Sequence, residues 1–533
     1  MKLYVIGIDG ATYRVIRPLI DAGKLPNLSR IIEEGSTGTL MSTVPPLSPV
    51  AWTTITTGAT PSVHGIIDFL AHDKSTKRDF LFNSSHRRVE PIWTLAGDLG
   101  RRSCVVNVPL TYPVDPINGF MISGLGTPPT NKGMAWPLEE FEEMKRAIGS
   151  YHIDIDLRPT QKDNDLANSL RKVTKNRLRC FDFLLNREPW DLFFFVFTNT
   201  DRAQHFFWRE HDEGTGPYAD MITECYQAAD KAVGQVMAEV AEHDGTLMII
   251  SDHGFGSLSN SFSLSHWLCN RNLLVSNGNT VQEHPVKKIV KKYLPIQVIN
   301  FLIRTILKKH WKYKGPSSEL DKWIDWEKTK FYSHKKVDTV FLFINEDAFF
   351  DAAEQETALK QLREGLLSVT DPKTEKPVIL DILDGNFLFG TDNTLAPDLV
   401  LVPADGYNFT FDCNDLVYDT PFVTSPGSWS GNHEPEGIVM MWGQHIKQNQ
   451  DCGERSIMDV MPTMCHLLDL PIPYRAEGSV IKSAFTEAFL NEHKERYDDN
   501  STESGGSKKI RDGIFNPIES EEVINRLKAL GYL

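Results

Sequence analysis

Four short apolar runs, each the length of a buried β-strand, are spread along the chain with helical patterns between them. They are Leu3 to Ile8, Asp191 to Phe197, Thr246 to Ser251 and Pro397 to Val402. Between the second and third, Ile222, Tyr226, Ala229, Val233, Val236 and Val240 recur at steps of four and three. That spacing is one apolar helix face. Strands alternating with such helices predict an α/β fold with a mostly parallel central sheet flanked by helices. Three of the runs are followed within a few residues by an acid: Asp9, Asp201 and Asp252. In open α/β sheets ligands bind at the carboxyl ends of strands, so these carboxylates fall where chemistry is expected.

The length, 533 residues, allows three or four units at ~150 residues each, or one large domain with insertions. Residues 1–262 read as the first part of a catalytic core. Residues 263–328 change in composition and read as an inserted, mostly helical cap. Residues 329–490 resume the core, with a smaller α+β region from Thr329 to Ile382. Residues 491–533 read as a flexible linker and a C-terminal amphipathic helix over Ser520 to Leu533. Within the cap, Lys287, Lys288, Lys291, Lys292, Lys308, Lys309, Lys312 and Lys314 flank an apolar centre. The ordinary reading is a lid over the crevice with its lysines in water. The sharper one is contact with an anionic membrane surface.

A net charge of −15 argues against nucleic acid as a partner, since phosphate backbones demand clustered Lys and Arg. A small phosphorylated substrate stays open, because metal ions neutralise phosphate locally. The seven cysteines show no CxxC pairing and read as buried free thiols of a reducing compartment. The apolar run after Met1 is broken by Asp9, too soon for a signal segment. A soluble cytoplasmic protein is the expectation.

Acids and histidines recur just after strands or in glycine loops. Asp9 follows the first run. Asp201 and His205 are four apart, one face of a helical turn. Asp252 and His253 are adjacent, and His433 lies in a loop, Ser430-Gly431-Asn432-His433. Carboxylate and imidazole sets bind Zn²⁺, Mn²⁺ or Fe²⁺. Ser48 precedes Pro49 and reads as the N-cap of a helix running toward Gly58. As a cap it contributes about 1 kcal/mol. The same position offers a phosphate free N–H groups and a nucleophilic hydroxyl.

Gly7-Ile8-Asp9-Gly10, Ser48 before Thr57-Gly58, Pro61 to Gly65, Asp201 with His205, Ser251 to Gly254 and Gly431 to His433 occur in this order. Together they resemble the type I phosphodiesterase/nucleotide pyrophosphatase branch of the alkaline phosphatase superfamily, nearest its bacterial and archaeal phosphohydrolases or phosphomutases. The stretches Ile324 to Thr329, Ala396 to Leu399, Ser456 to Thr463 and Leu527 to Leu533 agree. The resemblance implies an alkaline-phosphatase-like core and two divalent metal ions, Zn²⁺ or Mn²⁺. One would be held by Asp201, His205 and His433, the other by Asp9, Asp252, His253 and Ser48. It further implies a phosphoseryl intermediate on Ser48 and hydrolysis of phosphomonoesters or phosphodiesters. A phosphomutase using the same serine is the alternative. The nucleotide pyrophosphatases carry Thr-Phe-Pro-Asn at the nucleophile. Here Ser48 to Ala51 lacks that asparagine, and Asn107 is the candidate replacement for substrate binding. Trp52 stands where a sulfatase needs arginine. His64 is left to a structural turn, and His266, His284, His310 and His334 are expected at the surface.

Overall fold

The computed structural model describes residues 1–129, 132–155, 163–277, 324–334, 340–411, 422–427, 429–498, 515–530 and 532. Among these, nine strands form one central sheet: β1 (Lys2–Ile8), β2 (Ser36–Met41), β3 (Ser103–Val108), β4 (Gly119–Ser123), β5 (Ala135–Trp136), β6 (Leu192–Phe197), β7 (Gly245–Ile250), β8 (Glu436–Gly443) and β9 (Gln450–Ser456). Their order is β9-β2-β8-β7-β1-β6-β3-β4-β5. β1 pairs parallel with β6 and β7, β3 parallel with β4 and β6, and β2 parallel with β9. β8 runs antiparallel to β2 and β7, and β5 antiparallel to β4.

Both faces of the sheet are covered, which is why its central strands are apolar at successive positions rather than alternate ones. Tyr4, Ile6, Phe193, Phe195, Leu247 and Ile249 point into one buried cluster. Their neighbours Leu3, Val5, Phe194, Val196, Met248 and Ile250 point into the other. Each such side chain contributes about 1.5–3 kcal/mol by leaving water.

Helix α1 (Ser48–Thr57) is buried along its whole length. It carries four threonines at Thr53, Thr54, Thr56 and Thr57, whose hydroxyls must find partners inside the protein. Thr53, Thr56 and Thr57 donate to the carbonyls of Pro49, Trp52 and Thr53, each four residues back. Thr54 pairs with His64 instead. Gly58 closes the helix at φ +67°, a left-handed conformation suited to glycine. Further along come α2 (Asn199–Glu213) and α3 (Met221–Glu242), the latter burying the whole stripe read from the sequence.

The run from Pro397 to Val402 departs from expectation. Its strand, Leu399–Pro403, belongs to a separate four-stranded sheet with Phe331–Tyr332, Phe341–Ile344 and Ile379–Asp384, all paired antiparallel. A short apolar run reports burial, not which sheet it joins. This is the smaller α+β unit, and it extends past Ile382. Ahead of it, Leu264–Cys269 forms a helix whose Leu264, Trp267 and Leu268 are buried in the first cluster. Ser276 and Ile324 form an antiparallel bridge, and the expected basic cap between them, with His284 and His310, lies outside the described residues. So does most of the expected linker.

After it, α4 (Pro517–Ala529) brings Val523, Leu527, Leu530 and Tyr532 into the first buried cluster. The six described cysteines are free thiols, five of them buried. No helix among the described residues is long and apolar enough to cross a membrane.

Candidate active site

Asp9 comes directly after β1, Asp252 and His253 follow β7 after one intervening residue, and Asp201 sits in the first turn of α2, just past β6. β2 lies parallel to β7 across β8, so the chain leaving it delivers Ser48 to the same end of the sheet. His433 stands on a strand, Gly431–Glu434, where a loop was expected. That strand pairs antiparallel with Gly254–Ser257, placing His433 opposite Phe255. Five segments remote in sequence therefore meet in the crevice at the carboxyl ends of the strands.

The side chains converge in two groups, Asp201 with His205 and His433, and Asp9 with Asp252 and His253. Within each group the ligand atoms lie within 4.8 Å of one another. The rings of His253 and His433 stack at 3.7 Å, so the groups adjoin. Each histidine turns Nδ1 to a backbone carbonyl: His205 to Gly431 O at 3.2 Å, His253 to Gly254 O at 2.9 Å, His433 to Pro46 O at 2.9 Å. A carbonyl only accepts, so Nδ1 carries the proton and Nε2 presents a lone pair. His205 Nε2 then lies 3.0 Å from His433 Nε2, and His433 Nε2 lies 3.2 Å from Asp201 Oδ1. Three acceptors facing one another need a cation between them. In the other group Asp9 Oδ1 and Asp252 Oδ2 are buried without a hydrogen-bond partner. Their sister oxygens are held, Asp9 Oδ2 by Trp52 Nε1 and Asp252 Oδ1 by Gly10 N–H, each at 3.2 Å. Donor type, tautomer and orphaned oxygens all fit divalent metal ions.

The electrostatics agree. Burial, reinforced by Asp252 and Asp201, pushes Asp9 well above the usual carboxylate range. Burial raises Asp252 to about 7. Burial also lowers His205, and lowers His253 far below its usual value, so both rings stay neutral. Asp201 goes the other way: burial would raise it, but the charged guanidinium of Arg202 beside it helps hold it low. A crowded, dry set of carboxylates with neutral imidazoles lacks positive charge that bound cations supply.

Ser48 is not the N-cap. Leu47 occupies that position, and no side chain caps the helix. The Ser48 hydroxyl lies 3.2 Å from His253 Nε2 instead, uncommitted to the backbone. Asn107 lies at a bulge of β3 with φ +65°, and its Nδ2 donates to Val196 O and Thr198 Oγ1. It is buried at the same end of the sheet but touches neither ligand group in these bonds. His64 accepts from Ile66 N–H and pairs with Thr54, fixing the turn after α1. His266 and His334 are buried rather than exposed. The first packs edge-on against Phe422, and the second joins an aromatic cluster with His72 and Phe343. Sequence spacing to an acid says nothing about such packing. Three site neighbours were not read as such: Trp52, noted only as ruling against a sulfatase, with Arg202 and Tyr532. Only the motif at Leu527 to Leu533 hinted at the last.

This fold and site define a phosphoric ester hydrolase of the metal-dependent α/β class. The family model for type I phosphodiesterase / nucleotide pyrophosphatase matches residues 3–428, and the chain belongs to that family. No curated protein matches it in sequence. Among solved structures it is similar to murine ectonucleotide pyrophosphatase / phosphodiesterase 5, an inactive form in complex with AMP. The identity is 13% over 91% of this chain and 100% of that one, with a TM-score of 0.52. The human protein of the same name aligns at 13% identity over 88% of this chain and 95% of that one, with a TM-score of 0.47. At such identity the likeness to the murine structure shows the shared fold alone.

Proposed function

We propose that this hydrolase cleaves small phosphorylated substrates by passing the phosphoryl group to Ser48 Oγ and then to water. One divalent ion, Zn²⁺ or Mn²⁺, would be held by Asp201, His205 and His433. The other would be held by Asp9, Asp252 and His253, with Ser48 beside it. Ions so held supply Lewis acidity, stabilising phosphoryl charge and an ionised serine hydroxyl. The observation that carries the reading is the Ser48 hydroxyl, free of capping duty and 3.2 Å from a histidine whose tautomer is fixed. The first N–H groups of α1 orient phosphoryl oxygens, because an uncapped helix N-terminus attracts anions. Trp52 and Gly10 hold the ligand carboxylates in place.

We assign substrate selection to the insertion, since Ser276 and Ile324 pair at its base and lie beside the core. A reducing compartment suits the free thiols; a native disulfide found by non-reducing peptide mapping would contradict it.

The test is turnover of a phosphomonoester, a phosphodiester and a sulfate ester after chelation and add-back. Phosphate ester hydrolysis should vanish with chelator and return with Zn²⁺ or Mn²⁺, with about two ions per chain. Replacing residues 278–323 by a short linker should keep the ions and change the preference among substrates. Full activity in metal-free protein refutes the reading, and turnover only with an added acceptor alcohol would make the enzyme a mutase.

A further inference from the structure

Tyr532, which follows α4, is buried beside the Asp201, His205 and His433 group. Its hydroxyl accepts from Arg202 Nη1 at 2.6 Å and donates to Asp201 Oδ2 at 3.3 Å. Its ring centre lies 6.4 Å from that of His205 and 6.5 Å from that of His433, and packs edge-on to Phe69 at 5.3 Å. The guanidinium of Arg202 sits 4.9 Å over the same ring. Arg202 is itself fixed by Asp154, whose Oδ2 accepts from Nε at 3.1 Å and Nη2 at 2.9 Å. The two oxygens of Asp201 thus divide their duties. Oδ1 faces Nε2 of His205 and His433, while Oδ2 is held by Arg202 and Tyr532. The helix that delivers Tyr532 is anchored over its length. Val523, Leu527 and Leu530 are buried, Arg526 Nη1 donates to Thr127 O at 3.1 Å, and Phe515 stacks on Tyr112 at 5.4 Å.

We propose that Tyr532 is a positioning residue for Asp201, which makes the C-terminal helix a built-in part of the active site. The inference rests on the two-metal reading above. A carboxylate that ligates through one oxygen can swing about its Cβ–Cγ bond, and donors on the second oxygen fix its plane. Outer-shell partners of this kind change metal affinity by about 10–100-fold. Arg202 approaches Oδ2 from its own neighbouring position in α2, whereas Tyr532 approaches from a segment remote in sequence. Occupancy of the site therefore couples to docking of α4.

The test strips the full-length protein with a chelator and measures Zn²⁺ affinity by competition with a chromophoric chelator, alongside Co²⁺ absorption spectra. The wild type should bind two ions. Tyr532→Phe keeps the ring and loses only the hydroxyl. It should weaken one ion by about tenfold or more and alter its Co²⁺ spectrum, leaving the other ion unchanged and the metal-free protein cooperatively folded in urea. Equal affinities and identical spectra for wild type and Tyr532→Phe would overturn the inference, as would equal weakening of both ions. A wild type that binds no divalent ion would refute the two-metal reading itself, and this inference with it.

Discussion

A serine in the first turn of a helix ordinarily spends its hydroxyl on the backbone, and Ser48 does not. Leu47 holds the cap position, so replacing Ser48 by alanine forfeits no capping bond, a loss that elsewhere costs ~0.5–2 kcal/mol. Ser48→Ala should unfold at nearly the wild-type urea concentration, yet turn over at least about a thousandfold more slowly if the hydroxyl is the nucleophile. Ser48→Thr, which keeps the hydroxyl, should recover part of that rate. Steady-state turnover beside urea melts checks both; near-normal turnover by Ser48→Ala would reduce the residue to packing. Most of the side chains that converge here could be singled out from the sequence because Asp9, Asp201, Asp252 and His253 come soon after strands, His205 lies one helical turn past Asp201, and Ser48 opens a helix. Arg202 and Tyr532 could not, since their roles depend on contacts across hundreds of residues that no local spacing encodes.

At the scale of elements, α1 is steadied from behind by the turn Pro61–His64. His64 Nδ1 accepts from Ile66 N–H, so Nε2–H donates to Thr54 Oγ1 at 3.0 Å, and the bond at Nδ1 requires the neutral ring. Burial, with Arg87 and Arg88 adding to it, lowers the ring's pKa to about 3. The unfolded chain then takes up a proton near pH 6.5 that the folded chain refuses until about 3. Stability is therefore complete above pH 6.5 and lost as pH falls through that window, by up to ~4 kcal/mol. Urea midpoints from pH 7 to 4 should fall more steeply for wild type than for His64→Gln, and parallel slopes would refute the assignment. Elements were legible where pattern and length agreed, as for β1, β6, β7 and α3. His433 was read as a loop because Gly431 and Asn432 are turn residues by composition, while the partner strand Gly254–Ser257 lies far upstream. The run near Pro397 was assigned to the wrong sheet for a related reason: pairing partners are chosen by tertiary packing.

Across the whole molecule, the nine-stranded sheet gathers β1, β2, β6 and β7 with their carboxyl ends on one side, and α4 brings Tyr532 against Asp201 there. The family was legible because its motifs keep their order along nearly the entire chain. The choice of substrate was not, because it depends on which side chains line the crevice rather than on the ligands beneath. The central claim is covalent transfer to Ser48. Wild-type protein turning over a saturating aryl phosphodiester should be quenched in acid within its first turnovers, digested and examined by mass spectrometry. One phosphoryl group, still esterified to the alcohol that was not displaced, should appear on the peptide containing Ser48 and be absent from Ser48→Ala. An unmodified Ser48 peptide, together with a Ser48→Ala enzyme that still hydrolyses the substrate, would contradict the account.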